Sequence, residues 1–209
     1  MSEKTRNILE WIGCIVIALV ITLLFRYYVA TPTVVKQISM YPTLKENQRL
    51  MVTRTFRITG KSPEIGDIVT FEAPSYTYSS SNADQSNPIA IYTEEDRNII
   101  SSFLYNIIEV TKKSYIKRVI ALEGDHVEIK DGVVFVNGIE LQEEYLQPEV
   151  VTESNVFYDF IVPKGYVFCM GDNRPKSTDC RSFGCIPLEK IEGIVVFRFW
   201  PFNVAGSVE

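Results

Sequence analysis

The run Ile38-Ser39-Met40-Tyr41-Pro42-Thr43-Leu44 frames a serine between methionine and a nearby proline. A serine hydroxyl becomes a useful nucleophile only when a base takes its proton. His126 is the single histidine of the chain, and it follows Glu123-Gly124-Asp125 at the start of a hairpin strand, a structural setting. The G-x-S-x-G elbow is absent, and one histidine excludes an HExxH metal site. Lysine is the remaining common base, the Ser-Lys pair being an established variant of serine catalysis. Such a lysine has to be neutral, so its pKa must fall from about 10.4 towards 7. Burial in an apolar pocket does this by disfavouring the charged form.

Lys117 meets that demand. It lies in the β-rich run Tyr115-Ile116-Lys117-Arg118-Val119-Ile120-Ala121-Leu122. The two-residue period of a strand puts Tyr115, Lys117, Val119 and Ala121 on one face and Arg118 on the other. Strand chemistry alone leaves two roles open: a desolvated base, or an edge-strand charge that discourages aggregation. Two other patterns are coincidental. Ser114 to Lys117 fits S-x-x-K but has no S-D-N or K-T-G companion, and Gly60-Lys61-Ser62 lacks the first glycine of a P-loop.

These residues need elements to hold them. The chain has 209 residues, 46% of them hydrophobic and 12% aromatic, enough for one main domain with appendages. A net charge of −5 argues against a nucleic-acid partner, whose phosphates need a basic face. Residues Trp11 to Phe25 carry no charge. With apolar flanks extending it, this run reads as a membrane span. Lys4 and Arg6 before it place the N-terminus in the cytoplasm. A removable signal peptide fits less well, because cleavage after Ala30 would put bulky Tyr28 where a small residue is needed. The expected division is residues 1–30 for the cytoplasmic N-terminus and anchor, and 31–209 for an extracytoplasmic domain. Ser39 stands 14 residues beyond Phe25. It is therefore tethered within roughly 50 Å of the span.

The rest reads as mainly β. Strands are expected at Leu50–Thr53, Asp67–Phe71, Tyr115–Leu122, His126–Lys130, Val133–Val136, Tyr166–Met170 and Gly193–Phe199. Asp131-Gly132 and Asn137-Gly138 mark two successive hairpin turns, hence an antiparallel meander. An insertion at about 75–114 begins as a Ser/Asn-rich loop. It continues through the helix-start pattern Thr93-Glu94-Glu95-Asp96 to an apolar stripe of Ile99, Ile100, Phe103, Leu104, Ile107 and Ile108. That helix would pack on the β domain or dock on a membrane or partner. None of Cys14, Cys169, Cys180 and Cys185 forms the C-x2-C pair usual at zinc sites. Cys180 and Cys185 read as buried small hydrophobes or as a disulfide.

Taken in order, these segments resemble a bacterial type I signal peptidase, the membrane-anchored Ser-Lys family. The likeness runs from the anchor through Ser39-Met40-x-Pro42-Thr43-Leu44 and Gly66-Asp67-Ile68-Val69. It goes on through Lys117-Arg118-Val119 with Gly124-Asp125, then Met170-Gly171-Asp172-Asn173-Arg174, to Ser177, Asp179, Arg181, Phe183 and Gly184. It implies an antiparallel β-sheet catalytic domain of signal-peptidase type behind one transmembrane helix. It implies Ser39 as nucleophile and Lys117 as general base. Ser177 would hydrogen-bond and orient the lysine, while Asp172, Asp179 and Arg181 would support the site as an ion-pair network. The implied activity is removal of signal peptides from secretory preproteins after an Ala-x-Ala type sequence, with no metal or cofactor. Membrane lipid and the secretion or pilus-assembly machinery are the other implied partners. The rival reading is a non-catalytic, signal-peptidase-like chaperone, which retention of both Ser39 and Lys117 disfavours. The chain departs from the family at Gln37, where Ser or Gly is usual, in the long insertion, and at Cys169 and Cys180.

Overall fold

The computed structural model describes residues 3–93, 98, 101, 102, 104, 105, 109 and 112–208. Its first element, α1 (Glu3–Tyr28), buries none of its residues. At 1.5 Å per residue it extends roughly 39 Å. It is long and apolar enough to cross a membrane. Val29 alone separates it from β1 (Ala30–Val34), so the span feeds directly into the sheet.

The remaining strands are β2 (Arg49–Thr53), β3 (Ile68–Glu72), β4 (Ser114–Ala121), β5 (His126–Lys130), β6 (Val133–Val136), β7 (Ile139–Glu140), β8 (Asp159–Ile161), β9 (Tyr166–Met170), β10 (Ile186–Pro187), β11 (Ile191–Trp200) and β12 (Gly206–Ser207). One sheet runs β1-β2-β11-β3-β4-β9-β10, with β12 on β11; a second runs β7-β6-β5-β8. Every pairing between these strands is antiparallel. The mainly antiparallel β architecture expected from the sequence is thus present.

Side-chain alternation explains the layering. In β2, Leu50 and Val52 point inward; in β5, Val127 and Ile129 do so. The larger core gathers Val69, Phe71, Val119, Val127, Val134, Phe160 and Phe168 from both sheets. A smaller core joins Val35, Met40, Leu44, Leu50, Val52, Ile68 and Val195. The two hairpin turns have positive φ at Asp131 and Gly132 and at Asn137 and Gly138. That is the backbone a two-residue hairpin loop demands. β1 escaped the sequence reading because Pro32 interrupts it. Its place at the end of the sheet order resolves this, since proline is tolerated where no ladder donor is missed.

The insertion's first part lies against the domain. The Tyr78 N–H donates to the Ser182 carbonyl (2.7 Å), and the Ala90 N–H donates to that of Cys185 (2.9 Å). Most of the expected helix, including Ile99, Ile100, Phe103, Ile107 and Ile108, lies outside the described residues; Leu104 is exposed. Cys180 and Cys185 are buried free thiols, so the disulfide alternative is not realised.

Candidate active site

The turn carrying Ser39 is pinned from below and from both sides. Met40 and Leu44 on either side of its second half sink into the smaller core, and the Leu44 N–H closes the turn on the Met40 carbonyl (2.8 Å). Arg198 from β11 donates to the Thr43 carbonyl (3.1 Å). From the segment after β9, the Asn173 N–H donates to the Ser39 carbonyl (3.0 Å). The Asn173 amide also donates to the Ile38 carbonyl (3.0 Å). Gly171 is required here, because a Cβ at that position would sit 2.4 Å from the Ser39 carbonyl oxygen and 2.2 Å from Ser177 Oγ.

Lys117 arrives from the middle of β4, registered opposite Val69 of β3. Its Nζ lies 2.7 Å from Ser39 Oγ and 3.1 Å from the Ile116 carbonyl. It is 1% exposed and Ser39 is 8% exposed. Tyr115, two residues back on the same strand face, covers the amine with its ring centroid 5.3 Å away. Burial drives the Lys117 pKa down; the Asp179 charge is the largest influence in the other direction and does not overcome it. A neutral amine at this distance accepts the serine proton, so the pair can generate a nucleophilic alkoxide where it is needed.

The expected supporting carboxylates fall in two places. Asp179 caps the one-turn helix Cys180–Phe183. Both its oxygens are held by Arg181, at 2.8 and 2.9 Å, and it also accepts the Gly171 N–H (3.0 Å). Burial alone would raise this carboxyl; Arg181 and the Gly171 N–H outweigh it and hold the group below the usual carboxylate range. Arg181 further donates to the Arg174 and Glu153 carbonyls, at 2.7 and 3.1 Å, tying the 171–181 segment into one piece. Asp172 lies behind β4, bound at both oxygens by Arg118 (3.0 and 2.8 Å) and by the Thr43 hydroxyl (2.5 Å).

Ser177 departs from expectation. Among the described residues no hydrogen bond joins its hydroxyl to Lys117. The amine is engaged by Ser39 and by the Ile116 carbonyl instead. Ser177 Oγ packs over Gly171. It also helps to hold the Asp179 charge, with less weight than Arg181 and the Gly171 N–H. His126 is partly exposed and pairs with Asp159 on the second sheet (2.8 Å), as its structural reading requires. Thr43, Gly171 and Asn173 stood inside the quoted motifs, yet spacing alone assigned them no role. Tyr145, stacked over the Arg118 guanidinium at 4.0 Å, left no signal in the sequence.

A groove of about 590 Å³ opens beside the pair. One wall is Thr31 to Gln37, the other Lys113 to Ile116, and Val52, Arg54 and Thr70 lie between them.

A family profile described as "Signal peptidase, peptidase S26" matches residues 8–200. The chain belongs to the signal peptidase family. Thylakoidal processing peptidase 1 of Arabidopsis thaliana is 38% identical over 184 residues. That alignment covers 88% of this chain and 46% of the relative, so the chain spans about half the plant protein's length. Signal peptidase I of Bacillus licheniformis is 31% identical over 210 residues, covering 97% of this chain and 94% of its own. A solved signal peptidase I from Enterococcus faecalis V583 is 28% identical, aligned over 64% of this chain and 97% of that one, with a TM-score of 0.39.

Proposed function

We propose that this member of the signal peptidase family is a membrane-anchored serine endopeptidase that removes N-terminal signal peptides from exported preproteins. The observation that carries the reading is the 2.7 Å contact between a buried lysine amine of lowered pKa and Ser39 Oγ. In this mechanism neutral Lys117 takes the Ser39 proton as Oγ attacks the carbonyl of the residue before the cleaved bond. The Ser39 backbone N–H, which has no acceptor among the described residues, is left to donate to the resulting oxyanion. Lys117 then protonates the leaving amine, and water releases the acyl group. Asp179 with Arg181 and Asp172 with Arg118 act by holding the two segments that meet at the pair.

A preference for small residues before the bond fits the apolar groove lining of Val35, Met40, Tyr115 and Ile116. α1 serves as the anchor, with Lys4 and Arg6 on the cytoplasmic side and the catalytic domain outside. The test is incubation of the protein with a secretory precursor in detergent or lipid. Ser39→Ala and Lys117→Ala should each abolish processing while the far-ultraviolet spectrum and melting temperature hold. Processing retained by either variant refutes its assigned role. No specific observation favours the chaperone alternative.

A further inference from the structure

The groove's charge runs against that of the whole chain. The protein carries a net −5. Yet, among the described residues, the groove is lined by Arg26, Lys36, Arg54, Lys112 and Lys113 against Glu109 and Glu192. Part of this is internally balanced. Arg54 and Arg26 share Glu109, at 2.5 and 3.3 Å, and Lys112 bridges Glu192 and Glu72, at 2.9 and 3.5 Å. Lys36 and Lys113 are different. They are exposed, stand on opposite walls, and have no ion-pair partner among the described residues.

Their position along the groove is set by the two strands. Lys36 precedes Ser39 by three residues and Lys113 precedes Lys117 by four. At about 3.3 Å per extended residue, Lys113 lies roughly 13 Å along the strand from Lys117, while the chain bends at Gln37 and Ile38, so that roughly 10 Å is the upper bound for Lys36 from Ser39. The groove continues past them to Arg26, at the membrane end of α1. A peptide leaving the bilayer beside the anchor would follow the same path, its upstream residues lying between the two lysines.

From this we infer that the groove selects signal peptides bearing an acidic side chain about four residues before the cleaved bond, received between Lys36 and Lys113. The inference rests on the peptidase reading above and deepens it. A lysine or arginine at the same substrate position meets like charge on both walls and is discriminated against.

The experiment uses the full chain in neutral lipid vesicles and three precursors that differ only at that position, carrying Ala, Glu or Lys. Cleavage of the Ala precursor reports the peptidase reading by itself; its absence would bring down both. Given that cleavage, kcat/KM for Glu should exceed that for Lys by about tenfold. The ratio should shrink at high salt, and the double variant Lys36→Glu, Lys113→Glu should reverse it. Equal rates for Glu and Lys, or a preference that survives both salt and the double variant, would overturn the inference and leave the peptidase reading standing.

Discussion

Lys117 and Arg118 are consecutive residues of one strand, both with basic side chains and both almost completely buried, yet their surroundings are opposites. Arg118 is fully compensated: two Asp172 oxygens, the Gly66 carbonyl at 2.9 Å and the Tyr145 ring enclose its guanidinium. Lys117 has a serine hydroxyl, a backbone carbonyl and an aromatic face, and no carboxylate in hydrogen-bond contact. The strand's alternation turns one residue to each side, and what each side supplies decides the chemistry. A compensated charge is a strut. An uncompensated one is driven neutral and becomes a base.

Exchanging the partners' roles breaks this comparison. Lys117→Met should lower kcat/KM by at least about a thousandfold. It should also raise stability at neutral pH, because the wild-type fold must keep an amine neutral that the unfolded chain leaves protonated. On the other face, Asp172→Ala strands a buried guanidinium. That should cost about 3–5 kcal/mol of unfolding free energy, read from urea midpoints. Gly171→Ala probes the joint between the two faces. Its Cβ would meet the Ser39 carbonyl, so kcat should fall about a hundredfold and the melting temperature should fall with it.

The pH dependence follows from sign. In the proposed mechanism the active form is the neutral amine, and burial lowers its pKa. Activity should therefore rise about tenfold per pH unit while pH stays below the depressed value, then level off below the ordinary lysine value of about 10.4. A rise displaced up to that ordinary value would mean a solvated amine. The smallest effect belongs to the second sheet. His126→Ala removes a partly exposed pair with Asp159. Stability should change by less than about 1 kcal/mol, and processing should not change.

Much of this contrast was legible in the sequence because strand period and turn chemistry are local. Tyr115, Lys117 and Val119 had to share a face, and the Asp-Gly and Asn-Gly pairs had to be hairpins. The identity of Ser39 as the partner was not local. Strand chemistry left Lys117 with two roles, and only the family resemblance or the coordinates brought residues 39 and 117 together. Contacts made through backbone atoms were the least visible. Asn173 on the Ile38 and Ser39 carbonyls and Gly171 beneath Ser177 depend on how two distant segments cross, which no residue type announces. Ser177 shows the opposite failing. The resemblance implied a bond to the lysine, but its hydroxyl lies over Gly171 instead.

The most direct test of the account is a nuclear magnetic resonance titration of the Lys117 side chain in the intact protein, labelled at Cε. The account requires a pKa far below that of the protein's exposed lysines, and Ser39→Ala should leave it depressed, since burial is the cause. A Lys117 signal that titrates alongside the exposed lysines would contradict a neutral base at this site.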